Sequence, residues 1–98
     1  MAFNLIWSPV ARLDLADLHT YIAESNPQAA RQFIHNVFRS VEQLIEFPES
    51  GRIVPEFADP NIREVFRKPC RIIYRIQANV NAIQIVRVWH AARGIPQF

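Results

Sequence analysis

The side chains in this sequence best equipped for chemistry are its arginines. Of eleven basic residues, only Lys68 is a lysine. A guanidinium presents a flat fork of N–H donors that fits a carboxylate or a phosphate bidentately. It stays charged at any ordinary pH, so it can hold an anion but cannot accept a proton near neutrality. Other reactive types are sparse. His19, His35 and His90 lack the spacing of metal ligands, and Cys70 is the single cysteine. The expectation is no metal, no cofactor and no intrachain disulfide.

The basic residues are unevenly placed. Residues 1–51 hold Arg12, Arg31 and Arg39 against six acids, a balance of −3. Residues 52–98 hold eight Lys or Arg against Glu56, Asp59 and Glu64, a balance of +5. The second half therefore suits a polyanion or an acidic protein partner.

Two helices and a set of strands must position these groups. Phe3–Trp7 reads as a short strand. Ser8-Pro9 then starts a helix, with Ser8 as N-cap and Pro9 in the first turn. Ala11, Leu15, Leu18 and Ile22 recur at helical spacing, with Val10 and Tyr21 at the edge of the stripe. Asn26-Pro27 repeats the start signal. Ala30, Phe33, Ile34, Val37, Val41, Leu44 and Ile45 stripe a second helix that Pro48 stops. Helices joined this tightly form an antiparallel hairpin. Residues 48–61, with three prolines and a glycine, read as a loop. Three strands follow, at Ile62–Arg67, Cys70–Gln77 and Ala82–Trp89, with Asn79-Val80-Asn81 near the last turn. Ala91–Phe98 is a short tail. The order predicts a single α+β domain over residues 1–98, in which a helical hairpin packs on one face of an antiparallel sheet.

Alternation sorts the strand residues into faces. Cys70, Ile72, Tyr74 and Ile76 share one face; Arg71, Ile73 and Arg75 share the other. In the last strand Ile83, Ile85, Arg87 and Trp89 alternate against Gln84, Val86, Val88 and His90. One face meets the helices. The other is expected to carry Arg71 and Arg75, with His90 a candidate to join them, as a cationic surface the helices leave open. Across neighbouring strands, Glu64 is the natural partner of these arginines.

The order of elements and four sets of residues resemble the ParE/RelE toxin superfamily. They are the helix pair around Asn26-Pro27; Pro48-Glu-Ser-Gly51-Arg52 with Val54-Pro55-Glu56; Ile62-Arg63-Glu64 with Arg71-Ile-Ile-Tyr74-Arg75-Ile76; and Val86-Arg-Val-Trp-His90-Ala-Ala-Arg93. Together they span about residues 3–93. The resemblance implies a toxin of a type II toxin–antitoxin pair, a growth inhibitor silenced by an antitoxin whose extended tail wraps it. Trp7, Phe38, Phe47, Phe57, Phe66 and Trp89 are candidates for that contact. Arg52, Arg63, Arg67, Arg75 and Arg93 would engage the target or the carboxylates of the antitoxin.

The superfamily divides by target. ParE members poison DNA gyrase through a protein contact and need no catalytic residue. RelE members cut messenger RNA on the ribosome. The Val-Trp-His90-Ala-Ala-Arg93 run and the Gly51-Arg52 loop look closer to ParE. The alternative is an endoribonuclease of the YoeB type, which uses a glutamate, an arginine and a histidine. There Glu56 would take the 2′-hydroxyl proton, Arg71 would hold the phosphate and His90 would protonate the leaving oxygen. RelE members that rely on several lysines and a terminal tyrosine are not matched, since Lys68 stands alone and no tyrosine follows Tyr74. No signal peptide and no membrane span is apparent, and a cytoplasmic location is expected.

Overall fold

A computed structural model describes residues 3–98. The chain runs β1 (Asn4–Trp7), α1 (Pro9–Ser25), α2 (Pro27–Glu46), β2 (Arg52–Ile53), β3 (Ile62–Arg67), β4 (Cys70–Gln77) and β5 (Ala82–His90). Single turns of 3-10 helix follow α2, β4 and β5. Both expected helix starts are present. The Ser8 hydroxyl accepts from the Ala11 N–H at 3.0 Å, and Asn26 Oδ1 accepts from the Ala29 N–H at 3.0 Å. Each serves an N–H that the helix itself leaves without a partner.

The sheet order is β1-β5-β4-β3-β2. β2 to β5 pair antiparallel as a meander, and β1 joins the outer edge of β5 in parallel. The helical hairpin carries the chain from β1 across one face to the far side of the sheet. Strand β2 is an addition to the expected pattern. It is only two residues long and lies inside the proline-rich stretch, where no alternation has room to show.

Beyond Trp7, β1 stops and leaves the edge of β5 bare. Side chains from α1 complete it. The Ser8 hydroxyl donates to the Val86 carbonyl at 2.9 Å, and the Asp14 carboxylate accepts from the Val88 N–H at 3.1 Å. Asp14 also takes two hydrogen bonds from Arg87, at 2.7 and 2.8 Å. The strand edge is thereby satisfied without another strand.

The core lies between the hairpin and the sheet. Phe33, Val37, Val41 and Leu44 of α2 meet Cys70, Ile72, Tyr74, Ile83, Ile85 and Val88, with Leu15, Leu18 and Ile22 of α1 packed around them. Each buried aliphatic side chain contributes about 1.5–3 kcal/mol. Cys70 belongs to this core, and burial pushes its thiol up to about 11. It stays protonated and serves as a small apolar side chain. Tyr74 is fully buried, yet its hydroxyl donates to the Pro48 carbonyl at 2.6 Å and accepts from the Gly51 N–H at 3.0 Å. One side chain thus pins the turn between α2 and β2.

The face away from the helices is not the open cationic surface that alternation suggests. Val54, Ile62, Ile73, Val86 and Trp89 form a second, small apolar cluster there. The loop after β2 and the C-terminal tail cover part of it. The Trp89 indole N–H donates to the Gly94 carbonyl at 3.1 Å, and Arg87 donates to the Gln97 carbonyl at 2.7 Å. Phe57 and Phe98 meet edge to face at 4.9 Å, and Pro96 is buried.

A bulge in β5 explains the changed faces. Tyr74 opposes Ile85 while Ile73 opposes Arg87, so Val86 is an extra residue and the alternation reverses beyond it. Val88 joins the helix-side core, while Val86 and Trp89 turn to the other face.

Candidate functional site

The most tightly organised polar group lies on the face away from the helices. Glu64 on β3 and Arg71 on β4 point to the same side, and both are buried. Burying charge is costly unless each is paired. Here the pairing is complete. Arg71 Nε donates to Glu64, and its two terminal nitrogens donate to both oxygens of Glu56 at 2.8 and 3.0 Å. Arg52 on β2 closes the chain by donating to the other Glu64 oxygen at 2.6 Å. The run Arg52–Glu64–Arg71–Glu56 is electrically neutral and spends the anion-binding capacity of Arg71 inside the fold.

This pairing changes what the residues can do. The hydrogen bonds from Arg71 hold the Glu56 carboxyl at about 2, down from 4.5. A carboxylate that weakly basic is a poor proton acceptor at neutral pH. Its two carboxylate neighbours hold the Arg71 guanidinium above its ordinary value. Glu56 stabilises the fold wherever it is ionised in both states, above about pH 4.5, and that contribution is lost as pH falls toward about 2. We expect Glu56→Gln to be less stable than wild type at pH 7, with the gap closing between pH 4.5 and 2. Denaturant titrations of the two proteins across that range check it. A gap that does not change with pH contradicts the assignment.

His90 stands elsewhere. It opposes Cys70, whereas Arg71 opposes Trp89, so His90 and Arg71 lie on opposite sides of the sheet. Its Nδ1 accepts from the Ala92 N–H at 3.1 Å, closing the turn after β5. It lines a cleft of about 370 Å³ with Asp14, Asp17, Leu18, Tyr21, Val88 and Arg93. Of the three residues that the resemblance matched to a nuclease, the structure brings Glu56 and Arg71 together and leaves His90 apart.

The other sequence candidates also have definite places. Arg63 donates to the Pro60 carbonyl at 2.9 Å and the Gly51 carbonyl at 3.0 Å, stapling the loop around β2. Arg67 donates to the Phe66 carbonyl at 2.7 Å. Arg75 is half-buried, between Ile62 and Gln84 on the neighbouring strands. Trp89 is only 3% exposed; Arg93 covers its ring at 4.2 Å and Arg87 at 4.8 Å. Trp89 therefore organises the tail, and Arg93 is the group presented to solvent above it.

One exposed apolar surface includes Leu13, which sequence reasoning left aside. Leu13 is 65% exposed and Tyr21 70%, and with Val10 they lie along the outer side of α1. Tyr21 continues into the cleft that holds His90 and Arg93. The available signal was Leu13, an apolar residue off the buried stripe. Phe47 and Phe66 are also exposed, as expected for contact residues, and Phe38 is half-exposed against Trp7 at 5.7 Å. Among the described residues there is no cluster of His, Cys, Asp and Glu suited to a metal ion, and no helix is long and apolar enough to cross a membrane. The arrangement offers exposed apolar area on α1 beside a cleft whose polar lining is Asp14, Asp17, His90 and Arg93.

No curated protein sequence matches the chain. Among solved structures, the chromosomal ParDE toxin–antitoxin system from P. aeruginosa contains a chain with a TM-score of 0.71 and 23% identity, over 91% of this chain and 96% of that one. The RelBE2 toxin–antitoxin complex from Mycobacterium tuberculosis gives 0.65 and 20% identity, over 92% and 99%. A variant of the E. coli toxin RelE in the free state gives 0.68 and 13% identity, over 96% and 88%. These likenesses concern the fold. The family model for the ParE toxin of the type II toxin–antitoxin system parDE matches residues 5–95. Spanning nearly the whole described domain, that match places the chain in the ParE family of type II toxin–antitoxin toxins.

Proposed function

We propose that this ParE-family toxin inhibits growth by binding DNA gyrase and is silenced by a cognate antitoxin that covers its exposed apolar surface. The observation that carries the reading is the closed ion-pair chain. Arg71 is committed to Glu56 and Glu64, and His90 lies across the sheet from it. Metal-free RNA cleavage needs a base, a cation on the phosphate and an acid converging on one scissile bond. Glu56, Arg71 and His90 do not converge here. A toxin that acts by contact needs only a shaped surface, and Val10, Leu13 and Tyr21 with the adjoining cleft supply one. The antitoxin part is supported by the solved relatives, which come from a toxin–antitoxin system and a toxin–antitoxin complex.

The test uses the purified full chain. Added to DNA gyrase with relaxed plasmid and ATP, it is expected to abolish supercoiling in a dose-dependent manner. Added to translating ribosomes, it is expected to leave the message intact. Unimpaired supercoiling with cleavage of the message at the ribosome would sink the proposal and restore the endoribonuclease reading.

A further inference from the structure

A second polar site lies between α2 and the end of β3, away from the ion-pair chain. Asn36, Arg39, Ser40, Gln43 and Arg67 line a notch of about 290 Å³. The helix residues fall at spacings of three and four, so they share one face of α2. Arg67 opposes Cys70, a residue of the helix-side core, so it stands on the same side of the sheet as α2.

The hydrogen bonds show what this notch can receive. The Asn36 Oδ1 already accepts from Gln32 at 3.0 Å, which leaves its NH₂ as the free end of the amide. The Ser40 hydroxyl donates to the Asn36 carbonyl at 2.8 Å and so is not a donor to a visitor. Arg67 gives one N–H to the Phe66 carbonyl and keeps the rest. Arg39 is exposed and, among the described residues, takes part in no hydrogen bond or ion pair. No carboxylate lines the notch. Two arginines and the amide residues Asn36 and Gln43 thus line a small space with donors in excess and no carboxylate among the lining residues.

We propose that this notch binds a carboxylate, and that in the cell the carboxylate is an acidic side chain of the protein partner that neutralises the toxin. The partner's role rests on the proposed function; the chemistry of the notch does not. A guanidinium fork matches a planar carboxylate, with two parallel hydrogen bonds per pair. A nucleic-acid backbone is the weaker fit. It needs a track of cations at phosphate spacing, and only Arg39 and Arg67 among the residues lining this notch are cationic. One acid side chain, placed among other contacts, is what two arginines in a short notch select.

The experiment titrates the full chain with an acetylated, amidated tri-glutamate peptide at fixed ionic strength, following side-chain N–H resonances by NMR. Inorganic phosphate at the same ionic strength is the second arm. Saturable shifts are expected at Arg39 and Arg67 Nε–H and at the Asn36 and Gln43 amides, with phosphate binding more weakly. Arg39→Gln with Arg67→Gln is expected to weaken the peptide by about tenfold or more, in line with losing charge-assisted hydrogen bonds. Arg31→Gln, on the same helix but outside the notch, is expected to change nothing. Shifts spread over all arginines, or a double variant that binds as wild type, overturn the site. Tighter binding of phosphate at the same resonances overturns the carboxylate assignment. Because the readout requires neither toxicity nor gyrase, its failure is distinct from failure of the proposed function.

Discussion

Glu64→Ala is expected to destabilise the protein by about 3 kcal/mol, at the lower end of the cost of breaking a buried ion pair. Glu64 is 3% exposed and is shared by Arg71 and Arg52. Its removal leaves the buried Arg71 guanidinium with Glu56 alone. The cost comes from a buried cation that keeps only one of its two carboxylates, so replacing both partners with apolar residues is expected to recover much of it. Thermal melts of Glu64→Ala and of the double variant Glu64→Leu/Arg71→Met separate the two effects. About 3 kcal/mol corresponds to a fall in Tm of roughly 15 °C for a domain of this size. Arg52→Ala provides the contrast. That side chain is 68% exposed, and surface pairs contribute about 0–1 kcal/mol. If Glu64→Ala melts within a few degrees of wild type, the ion-pair chain is not a structural element of the fold.

Gly51→Ala is expected to be at least as damaging, for a steric reason. Gly51 has extended backbone, at φ −78° and ψ 159°, so left-handed strain plays no part. The obstacle is proximity. A Cβ added there would lie 2.5 Å from the Glu64 carbonyl oxygen, 2.6 Å from the Tyr74 hydroxyl and 2.9 Å from the Tyr74 ring. Glu64 is held by pairing with Arg52, and the Tyr74 hydroxyl by Pro48 and Gly51 itself. Neither can retreat without losing hydrogen bonds. Overpacking alone costs about 1–3 kcal/mol, and disturbing a buried hydrogen bond adds about 1–3 kcal/mol. Denaturant titration is expected to show a loss of about 3 kcal/mol or more. Adding Tyr74→Phe removes the hydroxyl clash but not the carbonyl clash, so it should rescue little. Full rescue would mean that the backbone approach at Glu64 is not limiting.

The helical half of the fold was legible from local signals. Ser8-Pro9 and Asn26-Pro27 carry their capping function in two residues each, and the α2 stripe from Ala30 to Ile45 marks the buried face directly. The four longer strands were also readable, because they keep alternating apolar residues between turn signals. Three features were not. The bulge at Val86 is defined by pairing with Ile73 and Tyr74, and no property of Val86 itself announces it. Reading straight through it exchanged the faces of Val88, Trp89 and His90. Strand β2 exists only because Arg52 and Ile53 meet Glu64 and Arg63 across a loop. The tail is held by contacts with Trp89, Arg87 and Phe57 that no local pattern encodes.

The candidate site follows the same division. That Arg71 would meet Glu64 could be read from strand neighbours. That Glu56 would reach in from the loop and grip the same guanidinium depends on how the chain turns after β2. The outward apolar side of α1 was hidden because Val10 and Tyr21 looked like the margin of the buried stripe. Resemblance supplied a matching set of residue types in Glu56, Arg71 and His90, and geometry decides whether such a set can act together.

The most direct measurement is induced expression in a bacterial host lacking the antitoxin, following DNA synthesis and protein synthesis separately, for the wild type and for His90→Ala. A gyrase poison that acts by contact predicts that DNA synthesis fails first in both strains, with filamentous cells. Early collapse of translation with cleaved messages in the wild type, relieved by His90→Ala, would contradict it.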